Sequence, residues 1–133
     1  MRSRLILPSL LLCAALFAVT DGAAAQSLAA QKTAVGGVTV QATPRALPGG
    51  AWEFEIVFDT HSQELSDEPA KSASLVADGR TLAPAGWKGD PPGGHHRKGV
   101  LRFDAVSPPP EAIELRIARP GETAPRSFRW RTR

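Results

Sequence analysis

The stretch Trp52-Glu53-Phe54-Glu55-Ile56-Val57-Phe58-Asp59 sets large apolar side chains at every second position. Successive side chains of an extended chain point to opposite faces, so this spacing makes a strand and excludes an amphipathic helix. Trp52, Phe54, Ile56 and Phe58 then face a core and alternate with Glu53, Glu55 and Val57. Working outward, the same period recurs. Val38, Val40 and Ala42 alternate with Thr39, Gln41 and Thr43, and Pro44 is expected to end that strand. Residues 73–77 and 80–84 flank Asp78-Gly79, a pair that accepts the positive φ angles of a tight hairpin. Residues 99–103 make a fifth strand, Ile113, Leu115 and Ile117 mark a sixth, and Phe128 and Trp130 a seventh. There is no internal repeat and no stretch with the length and period of a core helix. Seven short strands separated by Pro- and Gly-rich turns predict an all-β fold, an immunoglobulin-like antiparallel β-sandwich over residues 36–133.

If each strand reverses direction, loops 60–72, 85–98 and 119–125 share one end of that sandwich. The Asp78-Gly79 turn and the Pro108-Pro109-Pro110 loop lie at the other. In an immunoglobulin-like arrangement the second and fifth strands are neighbours in one sheet, which brings His61 towards His95 and His96.

The start of the chain reads as an address. Arg2 and Arg4 precede a fifteen-residue apolar run, Leu5 to Val19, and Ala23-Ala24-Ala25 supplies a small-residue cleavage site before Gln26. The run is shorter than the roughly 20 residues that span a bilayer, and Pro8 interrupts it. Residues 1–25 are therefore expected to be a signal peptide, residues 26–35 a flexible lead-in, and the mature protein periplasmic or secreted, with no stable membrane insertion. The one cysteine, Cys13, falls within the leader, so the mature domain has no disulfide, thiolate metal site or cysteine nucleophile. The formal net charge of +3 falls by one when Arg2, Arg4 and Asp21 leave with the leader, too small a field to steer nucleic acid.

All three histidines lie in two polar clusters at the shared loop end, Asp59-Thr60-His61-Ser62 and Gly93-Gly94-His95-His96-Arg97. Imidazoles bind zinc and copper, and a carboxylate completes a three- or four-ligand set. Asp59, His61, His95 and His96 are the candidate metal ligands, with Glu64, Asp67, Asp90 and Glu122 in reserve. Adjacent histidines on a strand point to opposite faces, so only one of His95 and His96 would join His61. The alternative is that His61 caps a turn and the other two are solvated or bond backbone carbonyls. The same loop also offers a ligand site without metal. Pro91-Pro92-Gly93-Gly94 can expose backbone N–H groups, Arg97 adds a cation, and Trp87 an aromatic wall for a sugar or peptide. Its plainer counterpart is a simple turn with Trp87 covering the core.

Other patterns carry less. Arg129 and Arg131 alternate with Phe128 and Trp130 as on a protected edge strand, not a nucleic-acid stripe. Asp59, His61 and Ser62 are sequence neighbours whose side chains diverge, which is no nucleophilic triad. No phosphate-binding glycine motif or cofactor fingerprint appears, so no enzyme is expected.

Trp52 to Ser62, Trp87, Pro91 to Phe103 and the closing Phe128-Arg129-Trp130 together resemble a family of small exported bacterial and archaeal domains of unknown function. The likeness covers most of residues 36–131. It implies export and one compact domain, and supplies no activity, substrate or cofactor. The expectation is an exported binding module acting through loops 60–72 and 85–98. Its leading form binds copper or zinc, and its rival is a protein- or glycan-interaction domain using the same face without metal.

Overall fold

In the computed structural model, which describes residues 28–133, nine strands and one helical turn make two packed antiparallel sheets. The strands are β1 (Gln31–Val35), β2 (Val38–Ala46), β3 (Trp52–Thr60), β4 (Ala73–Ala77), β5 (Arg80–Leu82), β6 (Gly86–Gly89), β7 (His96–Phe103), β8 (Ala112–Ile117) and β9 (Arg126–Arg131). The helical turn α1 (Pro69–Ser72) leads into β4. The sheet orders are β1-β2-β3-β7-β6 and β5-β4-β8-β9. Setting β1 aside, these are the A-B-E-D and C′-C-F-G orders of an immunoglobulin-like sandwich.

The period-two strands build the core as their spacing requires. Val40, Ala42, Phe54, Ile56, Phe58, Leu101 and Phe103 from one sheet meet Leu75, Ala77, Leu115 and Ile117 from the other, all fully buried. Phe54 stands at the centre. Its ring lies 5.7 Å from Phe103, edge-on at 89°, and 5.7 Å from Trp130. Asp78 (φ +47°) and Gly79 (φ +75°) form the expected tight hairpin.

Several boundaries differ from the sequence expectation. Residues 31–35, expected within a flexible lead-in, form edge strand β1, turned onto β2 by Gly36 (φ +57°) and Gly37 (φ +76°). Two positive φ angles in succession give the primed hairpin turn whose twist suits paired strands. Gln31 also ties β1 to the other sheet: its side-chain amide donates to Arg129 O (2.6 Å) and accepts from Arg129 N (3.2 Å). Pro44 does not end β2. It pairs with Phe54, beyond the point where β1 stops opposite Ala42, and the unpaired edge left there tolerates a residue without an N–H. Loop 85–98 contains β6 and the start of β7, so His96, Arg97 and Lys98 are strand residues. The signal peptide expected over residues 1–25 lies outside the described residues, among which no helix is long and apolar enough to cross a membrane.

Candidate functional site

The second and fifth strands of the sequence reading are β3 and β7, and their pairing places Asp59 directly across from His96. On the outer face of the sheet, His96 Nδ1 and Asp59 Oδ1 are 2.5 Å apart, both side chains more than half exposed. One residue on, Thr60 N donates to His95 O (2.9 Å), and Thr60 Oγ1 donates to Gly37 O. His61 and His95 are exposed, and neither makes a side-chain hydrogen bond among the described residues. Among these residues no three His, Cys, Asp or Glu side chains converge to hold a metal ion. Of the four expected ligands, Asp59 and His96 come together, and His61 and His95 do not join them.

The reserve carboxylates have other work. Asp67 is fully buried and accepts a two-pronged contact from Arg119, Nε to Oδ1 at 2.8 Å and Nη2 to Oδ2 at 3.0 Å. Arg119 reaches on to Glu122, which accepts from Arg126 Nε at 2.7 and 2.8 Å. The Arg126 hydrogen bonds hold the Glu122 carboxyl below the usual carboxylate range, against burial that pushes it up. Arg126 also donates to the carbonyls of Thr33, Val35 and Val38, closing the β1–β2 hairpin against β9. Buried charges persist only when paired and hydrogen-bonded, and this chain meets that demand while binding loop 60–72 to loop 119–125. Asp90 instead accepts the Lys98 N–H (2.9 Å), pinning the β6–β7 connection, and Glu64 is exposed.

Arg97, expected on an exposed loop, is 1 % exposed. Nη1 donates to Asp67 O (2.7 Å) and Leu65 O (3.3 Å), and Nη2 to Asp90 O (3.1 Å). The guanidinium carbon lies 5.9 Å from the ring centroids of both Phe58 and Trp87, a cation held between aromatic faces. The signal for burial was present in the alternation. Arg97 shares its phase with Gly99, Leu101 and Phe103, as Arg126 does with Phe128 and Trp130. Both arginines therefore point inward.

Trp87 pairs with Leu101, and its indole lies across Gly99 and Gly89, the two residues of β7 and β6 that leave room for it. Beside it a groove of about 300 Å³ opens between the segment Asp67–Lys71 and the segment Gly89–Pro92, with Trp87 and Arg97 in its wall. Two donors of these wall residues, Trp87 Nε1 and Arg97 Nε, are closed off from solvent and have no hydrogen-bond partner among the described residues. Compared with protein-family models, curated proteins and solved structures, this chain matches none.

A larger depression of about 460 Å³ lies on the sheet of β4, β8 and β9, beside Glu114 and Arg129. Glu114 and Arg129 satisfy one another there. Glu114 accepts from Arg116 Nε (2.5 Å), Arg129 Nε (2.8 Å) and Ser127 Oγ (3.0 Å). These contacts, Arg116 first, lower the carboxyl to about 2. A carboxylate lowered on folding adds stability above its unfolded value near 4.5, and that stability is lost as pH falls towards 2. Glu114→Gln should therefore lower the melting temperature at pH 7, and its deficit against the native protein should close between pH 4.5 and about 2. A deficit that persists unchanged at low pH in thermal scans would contradict this.

Proposed function

We propose that the protein is an exported, non-catalytic binding module that receives a protein or glycan ligand in the groove between residues 67–71 and 87–92. The observation that carries this reading is the groove itself: an aromatic wall, flanking prolines and the charged residues Glu68, Lys71 and Asp90 around it. Ligand sites combine an apolar lining with a few convergent polar groups, and this one lies where loops 60–72 and 85–98 meet. The network through Asp67, Arg119, Glu122 and Arg126 holds the walls in place, so little ordering is required on binding. A copper or zinc reading would rest on the Asp59–His96 contact, which provides two donors where three or four are needed.

Peptide and glycan arrays probed with the native protein distinguish these readings. Ala70 is exposed on α1 and lines the groove, so Ala70→Trp fills it without disturbing the core. The expected result is a ligand whose binding falls at least tenfold in Ala70→Trp. The same binding should persist in EDTA and in a variant with alanine at His61, His95 and His96. Binding abolished by EDTA or by the histidine variant, and unaffected by Ala70→Trp, would replace this reading with the metal one.

A further inference from the structure

Strand β6 is an edge with one side unpaired. Its one partner in the five-stranded sheet is β7. Asp90 N donates to Lys98 O (3.0 Å), and on the far side of β7 Thr60 N donates to His95 O. Antiparallel neighbours exchange hydrogen bonds at every second residue, so these two contacts fix the alternation. Residues 88 and 90 turn their main-chain groups to β7, and Trp87 and Gly89 turn theirs away from the sheet. No hydrogen bond among the described residues takes those outward groups. They are within reach: Gly89 is exposed, and the exposure of a glycine is that of its main chain.

Both faces of this edge carry a groove. The one described above, with Trp87 and Gly89 in its wall, opens on the inner face. A second, of about 440 Å³, opens on the outer face beside Lys88, Val100, Arg102, Arg45 and Glu53. Glu53 is shared there by Arg45 at 2.5 Å and Arg102 at 3.9 Å. Lys88 is exposed and forms no ion pair among the described residues. Three cations thus meet one carboxylate, and the outer face of the edge keeps a surplus of positive charge.

We infer that β6 takes up an extended peptide segment of a partner protein as an added strand, with an acidic side chain beside Lys88 and apolar residues before and after it. This inference rests on the groove being the recognition site and chooses protein over glycan as its ligand. An added strand supplies the acceptors and donors that the Trp87 and Gly89 main chain lacks, and grooves on opposite faces receive its alternate side chains. With the hydrogen bonds made at Trp87 and Gly89, the peptide residue opposite Lys88 falls where facing side chains approach most closely. It shares the outer face with Lys88, where a carboxylate offsets the positive surplus. Its two neighbours turn inward, one over Trp87 and one over the space that Gly89 leaves. A second copy fits poorly, because a β6–β6 pair centred on Lys88 would set like charges against each other.

The test uses acetylated, amidated pentapeptides Thr-X-Glu-X-Thr, with X as Val, Ile, Leu or Phe, and the same peptides with Lys in place of Glu. Binding is read from the backbone amide signals of the protein. Saturable downfield shifts are expected at the Trp87 and Gly89 N–H, larger than at Lys88, as the two outward donors gain acceptors. Methylating the peptide nitrogens of both X residues, which face β6, should weaken binding at least tenfold. Methylating the Glu nitrogen, which points away, should cost far less. The Lys peptides should bind about threefold or more weakly, and Lys88→Glu should reverse that preference. Binding that methylation at X leaves unchanged would overturn strand addition while leaving the groove as a site for protein side chains. Equal binding of Glu and Lys peptides would overturn the acidic assignment. Shifts at Trp87 and Gly89 that follow protein concentration alone, with a doubled mass in ultracentrifugation, would overturn the inference in favour of a second copy. If no peptide moves these signals, the inference falls. The binding-module reading then stands only on an array ligand that Ala70→Trp blocks.

Discussion

Asp67→Ala is expected to destabilise the domain by about 3–5 kcal/mol, because it leaves the Arg119 guanidinium buried without its carboxylate. Arg119 has a side chain 4 % exposed, and Asp67 supplies both of its shorter contacts, 2.8 and 3.0 Å. The remaining partner, Glu122, is 3.5 Å away and is itself held by Arg126. Domains of this size have total stabilities of only about 5–15 kcal/mol, so the loss is a large fraction of the whole. Urea denaturation reads the effect directly. Combining Asp67→Leu with Arg119→Met removes both charges together and should recover most of the loss, since a buried pair replaced by apolar groups is often neutral. A loss below about 1 kcal/mol in Asp67→Ala would mean that the pair is exposed enough to be screened, as surface pairs are.

Gly99→Ala has the second largest expected effect, and it acts on the site. A Cβ at this position would stand 2.4 Å from Trp87 Cζ2, 2.5 Å from Cη2 and 2.9 Å from Gly89 Cα. An indole ring is rigid and the opposing backbone belongs to the paired strand, so neither gives way locally. The ring must leave its place, at a cost of about 1–3 kcal/mol, the usual range for overpacking. Trp87 forms the groove wall and stacks against Arg97, so the same methyl group should abolish ligand binding. Pairing Gly99→Ala with Trp87→Leu should restore most of the stability and none of the binding. Unchanged indole fluorescence and unchanged binding in Gly99→Ala would show that Trp87 has no fixed position over the glycine pair.

Much of this frame was legible in the chain because alternation is a strong signal where one face is buried. Trp52 to Asp59 gave β3 to within a residue, and the Asp78-Gly79 pair gave the β4–β5 hairpin. From those strands followed the β3–β7 pairing and the meeting of loops 60–72, 85–98 and 119–125 at one end. The strands that escaped notice were the weakly buried edges. Gln31–Val35 has no apolar alternation because it is held largely by hydrogen bonds, and Gly86–Gly89 offers Trp87 alone as a large side chain.

The two polar clusters could be placed from the sequence, and the partners of their charged groups could not. Histidines draw the eye as metal ligands, yet His61 and His95 stay apart from the Asp59–His96 contact. Arginines read as solvent-facing by habit, and Arg97 and Arg126 are buried because their position in the alternation puts them inward. Asp67 became the partner of an arginine 52 residues away, a separation that no local pattern reveals. Trp87 and Arg97 were both named for ligand binding. That they share the wall of one groove depends on β6, a strand too short to announce itself.

The most direct test of the central claim, that the groove and not the histidines receives the ligand, is a backbone amide chemical-shift footprint of the protein. It is titrated in parallel with a set of small aromatic and aliphatic fragments and, separately, with Zn(II) and Cu(II). Saturable shifts clustered on residues 67–71 and 87–92 with at least one fragment are predicted. Saturable shifts centred on Asp59, His61, His95 and His96 with a metal, and residues 67–71 and 87–92 unmoved by every fragment, would contradict it.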